Sequence, residues 1–118
     1  MAEPKIVLIG GGSYAWTPTI VRDIVSTQDL EGSTITLHDL DAKSLDVMLS
    51  LGRKIVGISG KEFAIEATTD RGQALRDAEF VILTISTGGL EAMRHDLEIP
   101  LRHGIYQSVG DTVGPGGI

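Results

Sequence analysis

The feature that most constrains the fold is a short apolar run that leads directly into a cluster of glycines. The run KIVLI covers residues 5–9, and GGGSYA follows it at 10–15. A continuous apolar run of this length predicts a buried strand of a parallel sheet. Beyond the glycines, apolar residues recur at helical spacing: Ile20, Val21, Ile24 and Val25. The order strand, glycine turn, helix therefore predicts the opening unit of an α/β sheet.

The same alternation continues along the chain. Apolar or β-branched segments predict further strands at 33–39, 62–68 and 79–86. Helical patterns predict a first helix to about Asp29, a second from Ala42 with Asp41 as its N-cap, and others at 70–78 and 91–103, with a break or restart at Pro100. This order predicts an α/β fold, a Rossmann-like doubly wound parallel sheet with the first strand in the middle. Ligands of such sheets bind beyond the carboxyl ends of the strands.

Composition limits the class of protein further. The 118 residues suit one small domain, and 42% of them are hydrophobic, as in a globular chain. Ten basic against sixteen acidic residues give a formal charge of −6, which argues against a nucleic-acid partner. Cysteine is absent, which excludes disulfides. The start has neither a signal peptide nor a membrane span, so we expect no membrane partner and a cytoplasmic location.

The glycine cluster has the spacing of a dinucleotide-binding turn. Gly10-x-Gly12-x-x-Ala15 follows a predicted strand and opens a predicted helix, with Ser13 inside the motif. Glycines allow the main chain to approach a pyrophosphate at the helix N-terminus. Asp39 ends the next strand, where an acid accepts hydrogen bonds from both ribose hydroxyls and repels a 2′-phosphate. The motif predicts NAD binding in preference to NADP; a purely structural turn is the alternative.

A second candidate contact with the cofactor follows the fourth predicted strand. In sheets of this type the turn after that strand passes the ribose on the nicotinamide side, so Ser86, Thr87 and Gly88 are candidates. An ordinary strand end followed by a loop explains the same residues equally well.

Charged residues are concentrated in the last predicted helix and in the glycine-rich segment beyond it. The helix carries Glu91, Arg94, His95, Asp96 and Glu98, a pattern more typical of a solvated face than of a site. Nothing in the spacing resembles a triad of metal ligands. Asp111 lies within the glycine-rich segment VGDTVGPGG, which is either a flexible tail or a loop whose acid tunes a catalytic partner.

Four segments together resemble the NAD-dependent glycosidases of glycoside hydrolase family 4. They are KIVLIGGGSYAWTP, LHDLD, GGLEAMRHDLEIPLRHGIYQ and GDTVGPGGI, in the family's order and spacing. The resemblance implies that residues 1–118 are the NAD-binding Rossmann-like domain at the N-terminus of a larger two-domain enzyme. It implies that this domain is incomplete at its C-terminal end and that a catalytic and substrate domain follows. We also expect self-association into a homo-oligomer.

The resemblance also implies a reaction. NAD oxidises C3 of the sugar, a base removes the C2 proton, the glycosidic bond breaks by elimination, water adds and the hydride returns. Mn²⁺ polarises the C2 and C3 oxygens. The resemblance places the metal-binding cysteine and histidine and the tyrosine base beyond Ile118, so no metal ligand is assigned here. Asp111 matches a loop acid that raises the basicity of that tyrosine.

One departure from the family pattern concerns the substrate. Members that act on 6-phosphorylated sugars carry an arginine four residues after the glycine pair; Met93 occupies that position here, and Arg94 comes one residue later. One residue rotates a helical side chain by about 100°. This favours a non-phosphorylated sugar, with an α-galacturonidase whose Arg94 pairs with the uronate, or alternatively an α-galactosidase. A lactate- or malate-type dehydrogenase and a non-catalytic nucleotide-binding module are the alternatives from other classes.

Overall fold

The chain is described by a computed structural model that covers residues 3–86 and 88–107. It divides into two units at the Ile85–Ser86 boundary. The first unit contains, in order, β1 (Lys5–Ile9), α1 (Thr17–Ser26), a 3₁₀ turn (Gln28–Leu30), β2 (Thr34–His38), α2 (Ala42–Ser59), β3 (Ala64–Thr68), α3 (Arg71–Leu75) and β4 (Phe80–Leu83). The second unit contains α4 (Gly89–Leu101). Thr87 and Asp111 lie outside the described residues.

The four strands form one parallel sheet in the order β3-β2-β1-β4. β1 pairs with β2 on one side and with β4 on the other, so the predicted doubly wound α/β fold and the inner position of the first strand are confirmed. Because all strands run the same way, their carboxyl ends meet at one edge of the sheet. The strands end there at Ile9, His38, Thr68 and Leu83.

The core lies between one face of the sheet and helices α1 and α2. Alternate residues of β1 and β2 face it, because side chains of a strand point to opposite faces in turn. The helices contribute residues at helical spacing. The buried members of this core are Ile6, Leu8, Val21, Ile24, Val25, Ile35, Leu37, Leu45 and Met48. Burying one large apolar side chain stabilises the fold by about 1.5–3 kcal/mol, so this layer fixes the two helices to the sheet.

Several elements are shorter than their sequence patterns predict. α1 ends at Ser26 because Thr27 adopts an extended ψ of 110° while its hydroxyl donates to the Asp23 carbonyl at 2.8 Å. β3 begins at Ala64, since Glu62 bonds to the loop before β2 through its amide and its carbonyl. β4 ends at Leu83, opposite the last residue of β1.

The second unit is described by α4, which begins and ends two residues earlier than predicted. Its N-cap is Gly88, whose φ of 77° lies in the left-handed region that glycine tolerates best. Pro100 sits in the last turn, one residue before the helix ends at Leu101. Proline has no amide hydrogen to donate, so its position agrees with a helix end rather than a break in mid-helix. Among the residues described, no helix combines the length and apolarity needed to cross a membrane.

Candidate functional site

The glycine turn lies between the carboxyl end of β1 and the first residue of α1. Gly10 has a φ of 95°, and a β-carbon added there would lie 2.3 Å from the main-chain oxygen of Thr84. No larger residue fits that space, because the contact is with main chain that cannot rotate away. The glycine therefore lets the turn pass directly beneath the end of β4.

Main-chain hydrogen bonds hold the turn against the end of β2. The amides of Gly10 and Gly11 both donate to the carbonyl of His38, at 2.9 and 2.8 Å. The hydroxyl of the buried Thr17 donates to the Gly11 carbonyl at 2.9 Å. The turn is thus fixed at both its strand end and its helix end.

Ser13 organises the entry into α1. Its side-chain oxygen accepts from the Trp16 amide at 3.2 Å, and its carbonyl accepts from the Thr17 amide at 3.0 Å. With these bonds made, the amides of Tyr14 and Ala15 are left without an acceptor within the described residues. Both residues are exposed and lie just before the helix begins. Free amides at a helix N-terminus favour an anionic ligand.

The carboxylate of Asp39 lies beside this turn. One of its oxygens accepts from the Gly12 amide at 3.0 Å, and the other accepts from the Asp41 amide at 3.1 Å. A β-carbon on Gly12 would lie 2.8 Å from the Asp39 carboxylate. The absence of a side chain at Gly12 therefore allows the acid to approach the turn. Each carboxylate oxygen keeps a lone pair for a further donor.

Asp41 has a different role, because its side chain caps α2. It accepts from the amides of Lys43 and Ser44 at 3.0 and 3.4 Å, and the Ser44 hydroxyl donates to it at 2.7 Å. The bonds from Ser44, then that from Lys43, lower the pKa of Asp41 below its ordinary value of 3.8. The prediction that Asp41 is a helix cap is confirmed, which leaves Asp39 as the acid that faces the glycine turn.

The candidates after β4 belong to the second unit. Ser86 is exposed, and Gly88 is the N-cap of α4. Neither residue makes a contact that tests the predicted role beside a cofactor, so that role stays a prediction. Thr87 lies outside the described residues.

Arg94 holds two ion pairs along its own helix. It bonds to Glu91, one turn before it, and lies 3.5 Å from the carboxylate of Glu98, one turn after it. The hydrogen bond that the Arg94 guanidinium donates to Glu91 and the charge of Glu98 raise the pKa of Arg94. His95 lies 3.4 Å from the same Glu91 carboxylate. Any anionic ligand of Arg94 would compete with these two acids.

No set of three or more histidine, cysteine, aspartate or glutamate side chains is placed to hold a metal ion within residues 3–86 and 88–107. Asp111, the candidate catalytic residue, lies outside those residues. Within the described residues, the candidate site consists of the glycine turn and the adjacent Asp39.

Two contributors to the site have no clear signal in the sequence. The carbonyls of His38 and Thr84 shape the glycine turn, but main-chain groups exist at every position and no motif marks them. The one hint in the sequence is the polar side chain of His38, which ends the strand segment TITLH and directly precedes Asp39.

Comparisons with known proteins agree with this geometry. The model of the family 4 glycosyl hydrolases matches residues 5–118. An alpha-galactosidase of Rhizobium meliloti (strain 1021) is 40% identical over 118 residues, which are 100% of this chain and 24% of that protein. An alpha-galacturonidase of Bacillus subtilis (strain 168) is 41% identical over 115 residues, which are 97% of this chain and 25% of that protein. The chain thus spans about a quarter of the length of the curated relatives it matches.

Solved structures give the same result. A 6-phospho-alpha-glucosidase from gut microorganisms, solved in complex with NAD and Mn²⁺, superposes with a TM-score of 0.81. The identity is 26%, and the match covers 98% of this chain and 26% of that one.

Proposed function

This chain belongs to the family 4 glycosyl hydrolases, and from that premise we propose that the whole protein is an NAD- and divalent-metal-dependent α-glycosidase. We propose a non-phosphorylated sugar as its substrate and α-galacturonidase as its leading activity. The observation that carries the proposal is the pairing of the glycine turn with Asp39. That pairing supplies the groups a dinucleotide needs, at the edge of the sheet where parallel α/β folds bind their ligands.

The described residues fit NAD. Gly10 and Gly12 let the turn pack closely against Thr84 and Asp39, since an added β-carbon would lie only 2.3 Å from the first and 2.8 Å from the second. The free amides of Tyr14 and Ala15 would donate to the pyrophosphate, whose charge suits the N-terminus of α1. Asp39 would accept from the hydroxyls of the adenosine ribose and would repel a 2′-phosphate. When bound, NAD supplies a hydride acceptor; the residues of this chain bind and orient it.

The proposed manganese ion, unlike NAD, has no candidate ligand set among the described residues. Manganese is present in the solved phospho-glucosidase named above, whereas the described residues here offer no group of three ligands. We therefore assign the metal to the whole protein without assigning it to any residue of this segment, and we derive no step through it.

The substrate assignment depends on α4. Met93 occupies the position at which the family pattern for phosphorylated sugars has arginine, so a 6-phosphate lacks that partner. Arg94 is a candidate partner for a uronate carboxylate, which would replace Glu91 or Glu98 in its ion pairs. Relatives with both names, alpha-galacturonidase and alpha-galactosidase, match the chain at similar identity, so α-galactosidase is the second candidate.

We propose that the protein is located in the cytoplasm, where NAD is held. We also propose that it self-associates. β4 is the edge strand of the described sheet, and Phe80, Val81 and Leu83 are each at least half exposed. An apolar edge strand favours pairing with a further strand, from the rest of the protein or from a second copy of it.

Parallel hydrolysis assays of the whole protein test the proposal. We expect p-nitrophenyl α-galacturonide to be cleaved faster than the α-galactoside, and both faster than a 6-phosphoglycoside, only with NAD and Mn²⁺ present. Reversed preference between the first two would select the second candidate. Faster cleavage of the phosphoglycoside would contradict the argument from Met93, and full activity without NAD would contradict the proposal itself.

A further inference from the structure

His38 is a buried polar residue at the last position of β2. It is only 4% exposed, and its Nδ1 atom lies 3.0 Å from the carbonyl oxygen of Thr68, the last residue of β3. A carbonyl oxygen only accepts hydrogen bonds, so Nδ1 carries the hydrogen and donates. The side chain of His38 therefore ties the end of its own strand to the end of the neighbouring strand.

The main chain of His38 connects the end of β2 to the glycine turn after β1, on the side of β2 away from β3. The His38 carbonyl accepts the amides of Gly10 and Gly11, and these are the first two residues of the glycine turn. The next residue in the chain is Asp39, which accepts the Gly12 amide. One residue thus connects β3, the glycine turn and the acid beside it.

We propose that His38 is a positioning residue, which orients Asp39 toward the adenosine ribose; the inference rests on the proposed binding of NAD. The direction of the Asp39 side chain depends on the main-chain angles where β2 ends. The buried imidazole fixes those angles, since rotating the end of β2 would break its hydrogen bond to Thr68. An apolar side chain at position 38 leaves the Thr68 carbonyl without this donor and the end of the strand free to turn.

The substitution that distinguishes this role from simple packing keeps the donor and removes the ring. In His38→Asn the amide nitrogen is the same number of bonds from the β-carbon as Nδ1, so it reaches the Thr68 carbonyl. In His38→Leu no donor is present. In His38→Gln the amide nitrogen is one bond further from the main chain and misses the original position.

Thr36→Val supplies a matched control. Thr36 lies on the same strand and the same face, is 1% exposed, and also bonds across to β3, through its hydroxyl to Glu66 at 2.7 Å. It differs from His38 in lying two residues before the end of β2, away from Asp39. Loss of its bond should lower thermal stability without changing the preference for NAD.

The experiment is calorimetric titration of the whole protein and each variant with NAD and with NADP. We expect His38→Leu to weaken NAD binding about tenfold, the scale of one lost hydrogen bond. We also expect it to reduce the ratio of the dissociation constant for NADP to that for NAD. We expect His38→Asn to restore both values and Thr36→Val to keep the ratio of the wild type. If His38→Leu does not fold, His38→Gln replaces it in the comparison.

The outcomes separate the two proposals. Wild-type protein that binds NAD, together with a His38→Leu variant whose NAD-to-NADP ratio is unchanged, would overturn the role of His38 and leave the proposed function standing. Wild-type protein without affinity for NAD would contradict the proposed function and this inference with it.

Discussion

The main-chain amide of Gly12 donates to the carboxylate of Asp39 at 3.0 Å, across 27 positions of sequence. This bond joins the turn after β1 to the end of β2, and its short distance depends on the missing side chain at Gly12. In a dinucleotide site the glycine turn contacts the pyrophosphate, whereas the acid contacts a ribose. Here each one places the other before any ligand binds.

Gly10→Ala should destabilise the fold strongly. Its φ of 95° and the 2.3 Å approach to the Thr84 oxygen oppose any β-carbon, and left-handed backbone alone costs a non-glycine residue about 1–2 kcal/mol. Gly57→Ala is the matched control: it lies in α2 with nothing within 4 Å of an added β-carbon, so it should stabilise by up to about 1 kcal/mol. Urea unfolding of both variants checks this; equal effects would contradict the described turn.

Asp41→Ala should lower the melting temperature at neutral pH by removing the cap of α2. Because hydrogen bonds lower the pKa of Asp41 in the folded state, the stability it contributes is complete above the ordinary value of 3.8. That contribution is lost as the pH falls through the lower, folded-state pKa. The gap in melting temperature between wild type and variant should therefore close in acid. Asp46→Ala, an exposed position on the same helix, should show no such gap; a gap that persists unchanged in acid would argue against a charged cap.

Lys61→Met should destabilise the first unit by about 1 kcal/mol, the scale of a cation at a helix C-terminus. The Lys61 ammonium donates to the carbonyls of Val25 and Ser26 at 3.0 and 3.3 Å, at the end of α1. Lys54→Met is the control, since Lys54 is exposed on α2 and its side chain makes no hydrogen bond or ion pair within the described residues. Chemical denaturation measures both, and equal stability of the two variants would refute the capping role.

Much of the fold could be predicted because local patterns and tertiary structure agree. The run KIVLI is apolar on both faces, which suits an inner strand of a parallel sheet, and it forms β1 between β2 and β4 as expected; the run FVIL also forms a strand, at the edge of the described sheet. Asp41 was identifiable as a cap because the bonds it makes reach only two and three residues along the chain. Asp39 was identifiable as an acid at a strand end, and its contact with the glycine turn follows from the order of parallel strands.

The remainder could not be predicted because it depends on contacts between segments distant in sequence. β3 begins at Ala64 and not at Glu62, owing to bonds with the loop before β2. The role of His38 depends on Thr68, 30 residues later, and no spacing rule connects them. The ion pairs of Arg94 are local, but the residue's part in substrate binding concerns groups of the whole protein and stays a proposal.

The central claim, that the glycine turn and Asp39 form an NAD site, is tested most directly by calorimetric titration of wild type, Asp39→Ala and Asp41→Ala with NAD and NADP. The lost hydrogen bonds to a charged acceptor are worth roughly 1.5–3 kcal/mol, so Asp39→Ala should bind NAD about 10- to 150-fold more weakly and discriminate less against NADP. Asp41→Ala, whose side chain only caps α2, should bind both as the wild type does. Unchanged NAD affinity in Asp39→Ala, or its loss in Asp41→Ala alone, would contradict the account.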